Sequence, residues 1–154
     1  MRQSRRGAAA GVIVAGLLLA CRIPHTVGAS FPMSGPGGVV RAAIAAFNTE
    51  DCARLYALTA PDKRGPGTRP GTIAACRRGF QEARREGVTG LRMMRDGPGH
   101  YAVAGIGQPV YIQPVVLRRT IVDRVVIVRE ALRVAPVAGR WYVEALGPSG
   151  GTGA

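Results

Sequence analysis

Every helical signal in this chain precedes Gly87 and every strand signal follows it. That order restricts the fold to helices segregated against an antiparallel sheet, an α+β arrangement. Val39, Val40, Ala43, Ile44 and Phe47 recur at spacings of three and four, the period of an amphipathic helix. Asn48-Thr49 ends it, and Asp51 or Thr49 can cap a second short helix carrying Cys52, Leu55, Tyr56 and Leu58, closed by Ala60-Pro61. Lys63 to Pro70 reads as a Gly/Pro loop. Thr72 is then expected to cap a third helix through Ile73, Cys76, Phe80 and Ala83 that stops at Gly87.

Val88 to Met94 and His100 to Ile106 flank Arg95-Asp96-Gly97-Pro98-Gly99, a turn composition that predicts a hairpin between them. Pro109 to Leu117 and Ile121 to Val134 are rich in valine and isoleucine. The middle of the latter is apolar in both phases, so it is expected to be covered on both sides. Val137-Ala138-Gly139-Arg140 turns into a last strand from Trp141 to Leu146, with Trp141 and Val143 facing opposite to Tyr142 and Glu144. Helices followed by an antiparallel meander are the expected fold.

The chain has 154 residues, enough for one domain, and its 47% hydrophobic and 19% charged residues argue against wholesale disorder. Arg2, Arg5 and Arg6 precede an uncharged run from Gly7 to Ala20, which would span about 21 Å as helix and falls short of a bilayer core. Those proportions fit a secretory signal peptide rather than a permanent membrane span. Leu18-Leu19-Ala20-Cys21 resembles the lipobox of bacterial lipoproteins. The resemblance implies cleavage after residue 20, a diacylglyceryl group on Cys21 and a chain held at the extracytoplasmic face of the cell membrane, by the general or the twin-arginine route. The expected organisation is a signal peptide over 1–20, a lipidated cysteine and flexible tether over 21–36, one folded domain over 37–147, and a disordered tail over 148–154. The formal charge of +12 would suit nucleic acid in the cytosol, but export argues against that partner. With Cys21 in the anchor, Cys52 and Cys76 remain in an oxidising compartment, and a disulfide is the expectation. It would staple the second helix to the third.

Ala45-Ala46-Phe47-Asn48-Thr49-Glu50-Asp51-Cys52-Ala53-Arg54-Leu55-Tyr56 resembles the opening of nuclear transport factor-like domains, and Ala138-Gly139-Arg140-Trp141-Tyr142-Val143 resembles their closing hairpin. The pair of cysteines behind a lipobox is similar to exported actinobacterial versions. The resemblance implies a strongly curved sheet wrapped around helices into a cone, with room for a pocket inside. Catalytic members place an acid or a His–Asp pair in the cone with a tyrosine opposite, to take a proton and stabilise an oxyanion. The matching candidates here are Asp123, Tyr56 and Tyr111, with His100 and Tyr101 in the expected hairpin. None repeats a recognisable spacing. No glycine-rich nucleotide loop or ligand-spaced metal cluster appears, so neither a cofactor nor a metal is expected. The reading is a non-catalytic binding lipoprotein that holds a small apolar ligand or an envelope protein. The alternative is a small-molecule isomerase or hydrolase. The superfamily also allows a homodimer.

Overall fold

The computed structural model describes residues 35–104 and 107–148. The expected signal peptide over 1–20, Cys21 and nearly all of its tether, and the tail from 149 onward lie outside the described residues. Among the described residues, three α-helices precede five strands: α1 (Pro36–Asn48), α2 (Cys52–Leu58), a 3-10 turn (Pro61–Lys63), α3 (Arg69–Arg85), β1 (Val88–Arg95), β2 (His100–Val103), β3 (Pro109–Ile121), β4 (Arg124–Val137) and β5 (Arg140–Pro148). The α+β class follows directly. The strands form one curled antiparallel sheet in the order β1-β3-β4-β5, with β2 also paired to β3. No helix among the described residues is long and apolar enough to cross a membrane.

The apolar stripe read from the sequence becomes the buried face of α1. Val39, Val40, Ala43, Ala46 and Phe47 lie against Met93, Val115, Leu117, Leu132, Val134, Val143 and Leu146 of the sheet. Phe47 meets Phe80 of α3 edge to face, with centroids 5.5 Å apart, so α1 and α3 share one aromatic contact within the core. Asp51 caps α2 by accepting a hydrogen bond from the Arg54 N–H at 3.0 Å. Cys52 and Cys76 form a disulfide that joins α2 to α3.

The start of α3 differs from the expectation. Thr68, not Thr72, is its N-cap, with the hydroxyl accepting from the Gly71 N–H at 3.2 Å. Pro70 fits the first turn because no backbone N–H is required there. Thr72 is a buried first-turn residue whose hydroxyl donates to the Thr68 carbonyl at 3.2 Å. The helix ends as read, with Gly87 in the left-handed region at φ +82°. Arg84 pairs with Glu50 in the α1–α2 turn, tying the far end of α3 to that turn rather than only to its own helix face.

The expected hairpin at Arg95–Gly99 is not a hairpin. β1 and β2 both run antiparallel to β3, so they lie end to end as one interrupted edge strand. Pro114 of β3 stands opposite the interruption. Its carbonyl accepts from the Asp96 N–H at 2.8 Å, which places its missing N–H on the same side, where no strand requires a donor. Gln113 fills the gap: it is fully buried, its Nε2 donates to the carbonyls of Gly97 and Pro114 at 2.9 Å each, and its Oε1 accepts from Arg95 Nε at 3.2 Å. The hairpin is instead β2–β3, closed over 104–108 by the Ala104 N–H donating to the Gln108 carbonyl at 2.9 Å.

A second turn was also invisible in the sequence. Val122 and Asp123 sit at φ +45° and +64° between the paired residues Ile121 and Arg124, a two-residue turn of the type favoured in hairpins. A β-branched valine is disfavoured in that region, which is why Ile121 to Val134 read as one strand. The covered-on-both-sides expectation fails as well. Among the described residues the helices lie on one face only, and on the other Val125 and Ile127 are 52% and 60% exposed. The edge of β1 is protected by Asn48: its Oδ1 accepts from the Met93 N–H at 2.7 Å and its Nδ2 donates to the Met93 carbonyl at 2.9 Å, so one side chain replaces a neighbouring strand.

Candidate functional site

Three aromatic rings converge at the end of the sheet where β2 pairs with β3. Tyr101 of β2 stands directly opposite Tyr111 of β3, and Tyr111 opposite Val134 of β4. Trp141 of β5 lies on the same face, two residues from the buried Val143 that pairs with Val134. The Tyr101 ring meets Tyr111 at 5.2 Å and 71°, and Trp141 at 6.2 Å and 62°, both edge to face. Tyr111 and Trp141 also pack on the hydrophobic core, whereas Tyr101 is 63% exposed and Val103, two residues on, 76% exposed. The result is an aromatic shelf with a fixed back and an open front. Gly99 is part of its mounting: a Cβ there would collide with the Tyr111 ring and hydroxyl, so only glycine allows the interrupted edge to pass so close.

The sequence-derived candidates do not meet. Asp123 is exposed at the tip of the β3–β4 hairpin rather than on a strand. Tyr111 lies ten residues back along β3 from Ile121, about 33 Å of extended chain from that tip. Tyr56 is buried on α2 among cations, with the Arg64 guanidinium 4.8 Å and that of Arg69 5.8 Å from its ring centre. Arg64 also spans to Tyr142, on the opposite face of β5 from Trp141, at 6.0 Å. It is fixed there because its Nε and Nη2 donate to the Thr59 and Ala57 carbonyls at the C-terminal end of α2, at 2.9 and 3.2 Å. His100 pairs with Ile112 and belongs to the sheet face opposite Tyr101. Of the candidates, only Tyr111 and Tyr101 share a site. What joins them there is a third ring, Trp141, which as a sequence feature reads as a core anchor.

One acid was overlooked. Glu130 falls in phase with Val126, Val128, Leu132 and Val134 on the helix-facing side of β4, opposite the fully buried Val115. Its Oε2 is shielded from solvent and has no hydrogen-bond partner among the described residues. Burial raises its pKa, because desolvation opposes the charged form. The alternation carried the signal: an acid in the apolar phase of a strand. Glu130 lies four residues along β4 from the Val134 that backs the shelf, so it does not face the three rings. A shelf of aromatic rings and valine offers contact area and orientation, and no proton donor–acceptor pair among the candidates is assembled on it. No group of three or more metal-ligating side chains occurs among the described residues.

No protein-family model matches the chain, and no curated protein matches it. Among solved structures, the chain is similar to a SEC-C motif containing protein from Rhodopseudomonas palustris, determined in solution. That likeness has 16% sequence identity and a TM-score of 0.49, and covers 90% of this chain and 88% of that one.

Proposed function

We propose that this chain is an exported lipoprotein, cut after residue 20 and lipidated at Cys21, whose domain is a nuclear transport factor-like cone that binds a small apolar ligand without transforming it. The curled sheet with helices on one face supports the cone. The lipobox-like Leu18-Leu19-Ala20-Cys21 supports the anchor. The observation that carries the binding role is the shelf of Tyr101, Tyr111 and Trp141, half built into the core and half open to solvent. Edge-to-face rings of this kind contribute about 0.5–1.5 kcal/mol each beyond the area they cover, which suits a flat apolar or aromatic molecule. The separation of Asp123, Tyr56 and Tyr111 argues against an isomerase or hydrolase centre built on them.

Two measurements test the two halves. Intact mass of membrane-extracted protein is expected to lack residues 1–20 and to carry acyl groups on Cys21; an unacylated chain removes the anchor. For binding, the neutral fluorophore N-phenyl-1-naphthylamine serves as the probe. It is expected to brighten saturably with the full chain, and Tyr101→Ala to weaken it about five- to tenfold, the equivalent of roughly 1–1.4 kcal/mol. Tyr101 is exposed, so its truncation leaves the core intact. Equal probe affinity in Tyr101→Ala and the parent would overturn the shelf as the binding site.

A further inference from the structure

Six large hydrophobic side chains are exposed among the described residues, and they divide into two patches. Tyr101 and Val103 belong to the aromatic shelf. Met94, Val122, Val125 and Ile127, at 44%, 79%, 52% and 60% exposure, lie on β1 and the β3–β4 hairpin instead. Register places Met94, Val125 and Ile127 on the sheet face turned away from the helices, and Val122 lies in the turn at its end. Met94 is opposite Val116 and Val116 opposite Arg129; Arg92 is opposite Arg118 and Arg118 opposite Ile127; Thr120 is opposite Val125. Aliphatic and guanidinium side chains therefore share this face across three strands, with Val122 in the turn at its tip. The adjacent pair Arg118-Arg119 splits: Arg119 turns to the helix side and is 5% exposed, while Arg118 points outward.

We propose that this face docks on an anionic phospholipid surface. Three arginines, Arg92, Arg118 and Arg129, stand on it against one acid, Asp96, with Asp123 and Arg124 at the adjoining hairpin tip. Arg129 pairs with Asp96 at 3.3 Å, and Arg92 donates to the Asn48 carbonyl at 3.1 Å. The face is cationic in a chain of formal charge +12. A soluble polyanion would engage the arginines and leave the valines and isoleucine in water. A second copy packed across a two-fold axis would set the same three arginines against each other. A bilayer interface satisfies both kinds of group at once: lipid phosphates meet the guanidinium heads, and the arginine stems, Met94, Val122, Val125 and Ile127 enter the headgroup–acyl boundary. The proposal uses neither Cys21 nor the shelf, so it stands or falls apart from the binding reading.

The test places an environment-sensitive nitrobenzoxadiazole label at Ile127→Cys in the full chain carrying Cys21→Ser, with the Cys52–Cys76 disulfide intact. A control label sits at Val103→Cys on the opposite face. Vesicles of mixed phosphatidylglycerol and phosphatidylcholine are expected to shift the label at position 127 to the blue and leave that at 103 unchanged. Pure phosphatidylcholine is expected to shift neither. Arg118→Glu with Arg129→Glu, both exposed positions on this face, is expected to weaken vesicle partitioning about tenfold or more. The proposal is overturned by no shift at 127, by an equal shift at 103, or by partitioning unchanged in the double variant. It is overturned equally by a blue shift with soluble heparin, or by one that grows with protein concentration without lipid, which would assign the face to a polyanion or to a second copy.

Discussion

Replacing Cys52 and Cys76 together by alanine is expected to lower the melting temperature by roughly 12 °C. The bond closes a loop of sequence separation 24, and constraining that loop in the unfolded chain is worth about 3.5 kcal/mol in the chain-entropy model. For a domain of this size each kcal/mol corresponds to about 3–5 °C. Local structure gives the bond more to do than the entropy alone. α2 has seven residues, well below the roughly 12–15 at which an isolated helix becomes even marginal, so its order depends on what it is fastened to. Cys52 is 2% exposed and Cys76 3%, so both sulfurs belong to the core as well as to the cross-link. The segment after α2 is held otherwise by the Ala60 N–H donating to the Val143 carbonyl at 2.8 Å and by Arg64 on the helix's last carbonyls. Thermal melts of the parent, the double alanine variant and the reduced parent give the comparison. A loss below about 3 °C would mean that those contacts alone order α2 and that the unfolded chain is already compact across the loop.

The disulfide was legible because two cysteines remain once Cys21 is set aside, an even count that pairs without reference to the rest of the fold. The helices were legible because a period of 3.6 is local: Val39, Val40, Ala43 and Phe47 declare one face without reference to the rest of the chain. The strands were legible as strands but not as partners. Pairing depends on where turns fall, and two of those signals mislead. Arg95–Gly99 has turn composition and is an interruption within one edge, whereas Val122-Asp123 carries a β-branched valine and no glycine and is a two-residue turn. The shelf inherits that difficulty. Tyr111 and Trp141 stand thirty residues apart in sequence, and Tyr101 meets them only through the registers of β2 on β3, β3 on β4 and β4 on β5. Asp123 became a catalytic candidate because it was read onto a strand; once the turn is placed, it leaves the sheet interior altogether. One clue to the true topology was present. Pro114 lies inside a valine-rich strand with neighbours on both sides, and proline is tolerated there only where the neighbouring strand makes no claim on its N–H.

Gln113 is where that topology is most exposed to test. Gln113→Ala is expected to cost about 3–4 kcal/mol, from a buried cavity plus the loss of three hydrogen bonds. Gln113→Leu separates the two contributions. It keeps the volume and removes the amide, leaving the Gly97 carbonyl without its Gln113 partner beside an apolar side chain, at an expected cost of about 2 kcal/mol. Denaturant unfolding of the three proteins reads both values. The same variants connect fold to site, because Gln113 fixes the stretch from Asp96 to Gly99 that delivers β2 to its register. Tyr101 is the first ring after that stretch, and Gly99 already touches Tyr111. Gln113→Leu is therefore expected to weaken N-phenyl-1-naphthylamine binding as well as stability, although Gln113 is fully buried and cannot touch the probe. If the leucine variant keeps the parent's stability, the Asp96–Pro114 backbone bond holds the interruption unaided and the amide only fills space. If it loses stability but binds the probe as the parent does, β2 is registered by its pairing with β3 alone, and the shelf does not depend on how the edge strand is interrupted.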